Sequence, residues 1–204
     1  MSETVSHRRG LQDLTLKELW QLFPIILRDY DPQWPGWYGD AAQELRREFG
    51  PYIVRISHIG STSVAGLVAK PTVDILLELD RSLGARDIRE KMAEYGWLHM
   101  GGDGAEPLRM SFNKGYTPRG FAERVFHAHV RRPGDPDELY FRDYLREHPE
   151  TCRDYVALKR HLANVYQHDR DAYTDAKGKF VAETTARAPE LYGARYLLEG
   201  ERSS

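Results

Sequence analysis

The chain has 204 residues, of which 41% are hydrophobic and 29% are charged. This length is enough to bury a core, and the composition excludes a collagen-like, strongly disordered or supercharged chain. The 29 Lys and Arg residues against 31 Asp and Glu give a formal net charge of -2. That balance argues against wholesale electrostatic binding of nucleic acid, which needs a basic face.

The sequence has no pattern typical of a membrane or secreted protein. Its longest mainly apolar runs, such as residues 73–77, are far shorter than the ~18 residues that a membrane-spanning helix needs. Residues 1–10 lack the apolar stretch of a signal peptide. Cys152 is the single cysteine and cannot form an intramolecular disulfide, which fits a reducing compartment. We therefore expect a cytoplasmic protein that does not interact with membranes.

The N-terminal part of the chain predicts two helices. Residues 14–27 carry apolar side chains close to helical spacing, although Pro24 would bend or break such a helix. Residues 31–36 have the chemistry of a turn. Residues 40–49 then show an amphipathic helical pattern, which ends at a Gly-Pro pair.

The middle of the chain alternates between strand and helix patterns. Residues 52–56 and 72–79 predict two strands that are joined by a small-residue loop. A helix is expected at residues 85–95, and two further strands at residues 108–112 and 124–130. This order indicates an α/β or α+β core.

From residue 139 onward the pattern becomes helical. Pro149 interrupts it and is expected to start a second helix, because a missing N–H costs nothing in a first turn. A further helix is predicted at residues 169–188. Residues 141–204 hold 11 basic and 11 acidic residues, so we expect this block to pack on the sheet and not to bind nucleic acid. The chain is interpreted as a single domain: an N-terminal helical segment (1–30), an α/β core (31–138) and C-terminal helices (139–204).

One loop carries the first candidate for chemistry. Residues 58–63 read HIGSTS and residues 70–74 read KPTVD. A Gly-Ser turn that leaves a strand exposes N–H groups and hydroxyls that bind phosphate oxygens, and glycine permits a close approach. Asp74, on the next strand, would be placed to hold a divalent cation against those phosphates. Short Gly-Ser loops are also common as plain turns, and the spacing alone leaves both interpretations open.

The run HIGSTSVAGLVAKPTVDILLEL at residues 58–79 resembles the signature of the GrpB-like family. That family is assigned to the nucleotidyltransferase superfamily, which has a DNA-polymerase-beta-like fold. The resemblance extends to YDPQWP (30–35), RVFHAHVR (124–131), ELYFRDYLREHPE (138–150) and DRDAYTDAKGKF (169–180). It implies a nucleotidyltransferase-like mixed β-sheet core flanked by helices, with a C-terminal helical block. It also implies that Gly60 and Ser61 face the phosphates of a nucleotide and that Asp74 holds Mg²⁺.

The sequence departs from the superfamily pattern on the strand of Asp74. A second carboxylate is expected two residues later, on the same face, but Leu76 stands there. Glu78 shares the face but lies ~13 Å from Asp74 along an extended strand, too far to share a metal ion. Where a third acid is expected, His127 and His129 alternate onto one face, a spacing that suits either Zn²⁺ or Mn²⁺ ligands or contacts with phosphate groups. Strand histidines that hydrogen-bond their neighbours would show the same pattern.

Basic residues supply the remaining candidates. Residues 109–134 contain six basic side chains against one acid, which suits a triphosphate but also a solvated hairpin. Arg142 and Arg146 share a helix face that either points at the ligand or forms an ion-pair network with Asp143. Lys177 either reaches a phosphate or lies over the ring of Tyr173.

Together these observations predict an enzyme of nucleotidyltransferase type. It would bind a nucleoside triphosphate, a small-molecule partner, with Mg²⁺ or Mn²⁺, and transfer a nucleotidyl or phosphoryl group to an acceptor. The expected catalytic residues are Asp74, Lys70 and His129, and the expected metal ligands are Asp74, His127 and His129. The expected ligand contacts are Gly60, Ser61, Thr62, Ser63, Arg109, Lys114, Arg124, Arg142 and Lys177.

Two other functions remain open at this point. The missing second acid favours a non-catalytic module of the same fold that binds a nucleotide or a CoA-like phosphate ligand. The superfamily and the basic stretch also suggest RNA or tRNA modification, but the overall acidity and the neutral helical block count against it.

Overall fold

A computed structural model describes residues 10–102, 104–134, 136–193 and 195–196. Helices and strands alternate through the first two thirds of these residues, and helices alone follow. The helices are α1 (Leu16–Leu22), α2 (Trp34–Phe49), α3 (Ala85–Glu94), α4 (Asp137–Glu147), α5 (Pro149–Val165) and α6 (Arg170–Tyr192). The strands are β1 (Ile53–Ile59), β2 (Val73–Leu79), β3 (Leu98–Gly101), β4 (Arg109–Thr117) and β5 (Gly120–Arg131).

The strands form one mixed sheet in the order β1-β2-β5-β4-β3. β2 and β5 are parallel, whereas the other neighbouring pairs are antiparallel. The parallel register places Asp74 beside His127 and Leu76 beside His129. The mixed sheet, its flanking helices and the C-terminal helical block confirm the predicted fold class.

Side-chain alternation divides the sheet into two faces. The odd-numbered residues of β2 join a core with α2 and α3, in which Trp34 and Ile88 are buried. Its even-numbered residues point to the opposite face, where Leu76 packs with Ile59 of β1 and Leu139 of α4. The C-terminal helices therefore cover the face that carries Asp74.

The helical block also holds the loop between β1 and β2. Leu145 of α4 and Tyr155 of α5 form an apolar cluster with Val64 and Leu67 of that loop. α5 begins at Pro149, as predicted, because the proline ring fits the first helical turn. The loop that carries the Gly-Ser turn is thus fixed between the sheet and two helices.

Several local predictions need correction. α1 ends at Leu22, ahead of Pro24, so the helix is shorter than the predicted residues 14–27. α2 begins at Trp34, inside the segment predicted to be a turn, because Pro35 loses no hydrogen bond in the first turn. β3 is not predicted by any pattern, since its short, exposed segment lacks the alternation of a half-buried strand. Within the described ranges, no helix combines the length and apolarity that a bilayer crossing requires.

The burial of Leu76 leads to a stability prediction. Leu76 is fully buried, so Leu76→Ala should lower the free energy of unfolding by about 2–5 kcal/mol, through lost burial and the cavity left behind. Urea denaturation measures the change. Leu16→Ala serves as the control, because Leu16 is 55% exposed and its truncation should cost less than about 1 kcal/mol. Equal losses in the two variants would contradict the packing described for Leu76.

Candidate functional site

The turn after β1 brings the backbone against the side chain of Asp74. Gly60 has a φ of 68° and a ψ of -172°, a conformation that essentially only glycine adopts without strain. A Cβ atom at Gly60 would lie 2.3 Å from Asp74 Oδ2. Glycine is therefore required here both by the backbone conformation and by the carboxylate behind it.

Two of the three hydroxyls in the turn are used inside the loop. The Thr62 hydroxyl donates to the carbonyl of Thr72 (3.2 Å) and lies 3.0 Å from His58 Nε2. Ser63 Oγ donates to the carbonyl of Gly60 at 2.6 Å. Ser61 Oγ instead accepts from Lys159 Nζ at 3.2 Å. Of the three hydroxyls predicted to contact phosphate, that of Ser61 is therefore the one that contacts a cationic side chain.

Asp74 lies at the end of a chain of polar contacts. His127 Nδ1 is 3.4 Å from Asp74 Oδ1, and His127 Nε2 is 2.7 Å from the Tyr116 hydroxyl. Arg170 donates to the same hydroxyl at 2.9 Å. Because a guanidinium only donates, Tyr116 is free to donate its own proton to Nε2. That arrangement leaves the ring proton of His127 on Nδ1, facing Asp74.

These contacts determine how the acid and the histidine titrate. Burial raises the pKa of Asp74, but its close contacts with His127 and His129 outweigh the effect of burial and hold the pKa well below its usual range. Burial lowers the pKa of His127. An ionised carboxylate therefore faces a neutral imidazole at neutral pH.

The donor atoms fit an open cation site. His129 Nε2 lies 3.7 Å from Asp74 Oδ1, whereas both ring nitrogens of His127 are already engaged. Among the described residues, no three His, Cys, Asp or Glu side chains are placed to hold a metal ion together. Proteins commonly bind Mg²⁺ through one or two carboxylates plus the phosphates of a substrate. Asp74 and His129 therefore fit a cation whose remaining ligands come with a phosphate group.

Four cationic side chains converge on this end of the sheet. Lys70 and Lys177 both lie over the Tyr173 ring, with Nζ 5.5 Å and 4.5 Å from its centroid. Lys159 lies over the Tyr155 ring and also donates to the carbonyl of Val68. Arg170, which donates to the Tyr116 hydroxyl, is the fourth. We call Lys70, Lys159, Arg170 and Lys177 the cation cluster.

The pKa values of the lysines show how crowded the cluster is. Burial, together with the positive charges of Arg170 and Lys177, lowers the pKa of Lys70 to about 7. Burial likewise lowers the pKa of Lys159 to about 7 and shifts that of Lys177 in the same direction. These ammonium groups lack enough negative charge around them, so a bound anion would stabilise their charged forms.

The sequence is similar to known proteins over most of its length. The family model described as "GrpB protein" matches residues 24–187. The chain belongs to the GrpB family. This confirms the family to which the motif at residues 58–79 pointed.

Relatives within the GrpB family include proteins of different lengths. The UPF0157 protein PA4798 of Pseudomonas aeruginosa is 36% identical over 84% of this chain and 72% of its own. YqkA of Bacillus subtilis is 32% identical over 91% of this chain, which spans about half (54%) of YqkA's length. The crystal structure of conserved protein GrpB from Enterococcus faecalis aligns with a TM-score of 0.69 at 28% identity, covering 82% of this chain and 99% of that one.

Four predicted ligand contacts of this GrpB chain are not brought to Asp74. Lys114 points to the α2 face and forms a 2.7 Å ion pair with Glu44. Arg124 pairs with Asp40 of α2. Arg109 stands opposite Arg131, four strand residues from the partner of His127.

Arg142 is the fourth, and it anchors α4 to the sheet. It donates to the carbonyl of His58 at 3.0 Å and to Asp143 at 2.8 Å, and its third partner is the Tyr196 hydroxyl. The ion-pair network left open from the sequence is therefore what the structure shows for this residue.

The site also contains residues that the sequence patterns did not single out as ligand contacts. Lys159 and Arg170 are central to the cation cluster, and Tyr116 links Arg170 to His127. Helical spacing would have pointed to Arg170 and Lys159. Arg170 lies on the same face of α6 as Tyr173 and Lys177, at positions i, i+3 and i+7. Tyr155 and Lys159 are similarly four residues apart on α5.

The close approach at Gly60 gives a matched pair of variants. Gly60 and Gly66 both have positive φ, but a Cβ atom at Gly66 meets nothing within 4 Å. Both Gly→Ala variants should lose about 1–3 kcal/mol of stability from the backbone conformation. Only Gly60→Ala should displace Asp74 and so change the side-chain NMR signals of His127 and His129. Unchanged histidine signals in folded Gly60→Ala would show that the carboxylate does not depend on this glycine.

Proposed function

We propose that the chain binds a nucleoside triphosphate and transfers a nucleotidyl or phosphoryl group from it to an acceptor. The observation that carries this proposal is the cation cluster: four cationic groups from a loop and two helices gather at the end of the sheet that carries Asp74. All four lie over aromatic rings that restrict their motion. Such a site is preorganised for a ligand with several negative charges.

The surroundings of the cluster favour phosphate groups as those charges. Ser61 lies at the glycine turn and accepts a hydrogen bond from Lys159, so its hydroxyl and a phosphate oxygen would share the same ammonium group. Lys70 lies over the Tyr173 ring, and its N–H groups would be available to a ligand. A triphosphate extended past Ser61 would meet these cations one after another.

The residues of the site have separate roles in this proposal. In nucleotidyl transfer an acceptor oxygen attacks the α-phosphorus and pyrophosphate leaves, so negative charge develops on the leaving phosphates. Lys70, Lys177 and Arg170 would neutralise that charge. Asp74 and His129 would hold Mg²⁺ or Mn²⁺ together with the phosphates, and the cation when bound would offset their charge. Tyr116 and His127 would keep Asp74 oriented and ionised.

Leu76 supports a second candidate function. It occupies the position of the expected second carboxylate and is fully buried against α4, so no other acid reaches Asp74 from β2. A site with one carboxylate is also what a non-catalytic nucleotide-binding module would keep. Release of pyrophosphate separates the two candidates, because the module binds the nucleotide without cleaving it.

Calorimetric titration tests the binding site. ATP, GTP, CTP and UTP would each be titrated with and without Mg²⁺ or Mn²⁺, into wild type, Lys177→Gln and Asp74→Asn. Lys177→Gln should weaken binding by about tenfold or more, because it removes a charge-assisted contact. Asp74→Asn should abolish the gain due to metal, while metal-free binding stays equal or tightens because a like charge is lost.

Lys179→Gln is the matched control. Lys179 lies two residues along the same helix but is 86% exposed, so its loss should leave affinity unchanged within about twofold. Absence of binding to all four nucleotides by folded wild type would refute the proposal. Equal weakening in the two lysine variants would show that only the general charge of α6 matters.

The lysine pKa values predict how binding changes with pH. Lys70 and Lys159 lose their protons near pH 7 in the free protein, and a phosphate ligand favours the protonated forms. Affinity should therefore be highest below pH 7 and fall above it, by up to about tenfold per pH unit for each lysine that takes up a proton. Titrations without metal between pH 7 and 9 measure this fall. Lys70→Arg should reduce the slope, since a guanidinium stays charged throughout; an identical slope would exclude Lys70 from the ligand.

A further inference from the structure

A second concave surface lies on the far side of the loop that carries the Gly-Ser turn. It encloses about 730 Å³ between residues 64–68, the end of α4 and the outer side of α5. Asp74 and the cation cluster do not line it. Its volume is in the range of pockets that bind small molecules. We call this cavity the α5 groove.

The α5 groove combines an apolar floor with a basic rim. Val64 and Leu67 belong to the apolar cluster under the loop, and Val156 packs against that cluster from α5. Arg153 and Arg160 stand two turns apart on α5, about 10 Å along its axis at ~1.5 Å per residue. Such a surface suits a molecule that is apolar along one side and anionic along the other.

The arginines of the rim have little negative charge near them. Asp29 is the acid that lines the groove, and it pairs with Arg160 at 3.9 Å while both side chains are largely exposed, a weak interaction in water. Arg146 is already engaged, because it donates to the carbonyl of Ser63 at 2.7 Å and pairs with Asp143 at 3.5 Å. Arg153 and Arg160 against the one carboxylate of the lining, that of Asp29, leave an excess of positive charge for an anionic ligand.

The lining also indicates which class of anion fits. Among the described residues, the groove has no aromatic side chain, so it offers no platform on which a nucleobase could stack. Aliphatic side chains form its floor. We propose that the α5 groove binds an aliphatic molecule that carries a phosphate or carboxylate group, with the chain on the floor and the anion at Arg153 and Arg160. This site is separate from the proposed nucleotide site and does not depend on it.

Cys152 provides a direct readout of occupancy. It is the single cysteine and it lines the groove. Burial raises the pKa of its thiol, so alkylation by iodoacetamide would be followed at pH 8.5, where enough thiolate forms. Mass spectrometry of the intact wild-type chain gives the rate, with octyl phosphate, octanoate, octanol or inorganic phosphate present at matched concentrations below micelle formation.

Octyl phosphate or octanoate should slow alkylation of Cys152, and the stronger of the two identifies the preferred anion. Octanol alone and inorganic phosphate alone should protect much less. In the Arg153→Gln/Arg160→Gln double variant, half-protection should need about tenfold more octyl phosphate. Arg119→Gln, which removes an exposed arginine from the β4–β5 turn, should behave as wild type.

Four results would overturn the proposal. Equal protection by octanol would mean that the arginines contribute nothing to recognition. Equal protection by inorganic phosphate would mean that the apolar floor contributes nothing. If neither octyl phosphate nor octanoate protects Cys152, these molecules do not bind in the α5 groove. An unchanged response in the double variant would show the same. Nucleotide titrations of the same double variant should match wild type, which keeps this test distinct from that of the proposed function.

Discussion

The parallel pairing of β2 with β5 is the constraint on which the candidate site depends. It brings Asp74 beside His127 although 52 residues separate them in the chain. Parallel neighbours cannot be joined by a tight turn, and here the intervening chain contains α3, β3 and β4. Because side chains alternate, a slip of one residue would move both histidines to the core side and Asp74 away from them. The apolar residues of β2 and β5 on that side make such a slip costly, so the register of the core also determines the geometry of the site.

A second feature follows from where the helices place charge. α5 and α6 bring Lys159, Arg170 and Lys177 onto the face of the sheet that carries Asp74. The loop between β1 and β2 adds Lys70. The aromatic rings of Tyr155 and Tyr173 offset part of the cost of burying these cations, and Asp74 offsets another part. The lowered lysine pKa values measure what is left uncompensated. In the free protein the buried cations therefore repel one another, and an anionic ligand would reduce that repulsion.

The sequence predicts the strands, helices and motif residues of this site better than the complete set of side chains in it. The family motif identifies Ser61, Lys70 and Asp74, and periodicity gives most of the strands and helices around them. The basic stretch at residues 109–134 misleads, because a count of charge along a strand ignores the two faces: Lys114 points at α2 while His127 points at α6. Lys159 and Arg170 fail to stand out for the opposite reason, since each is one cation in a neutral helical block. Their importance arises only from the packing of α5 and α6 on the sheet.

The loop at residues 61–68 connects the two concave regions of the molecule. On one side Ser61 and the carbonyl of Val68 receive hydrogen bonds from Lys159. On the other side Val64 and Leu67 form the floor of the α5 groove, and Arg146 holds the carbonyl of Ser63. A ligand that draws Arg146 outward would release that carbonyl and loosen the turn beside Asp74. Linkage then requires any such effect to be reciprocal, so a phosphate ligand that tightens the turn must change the affinity of the groove by the same factor.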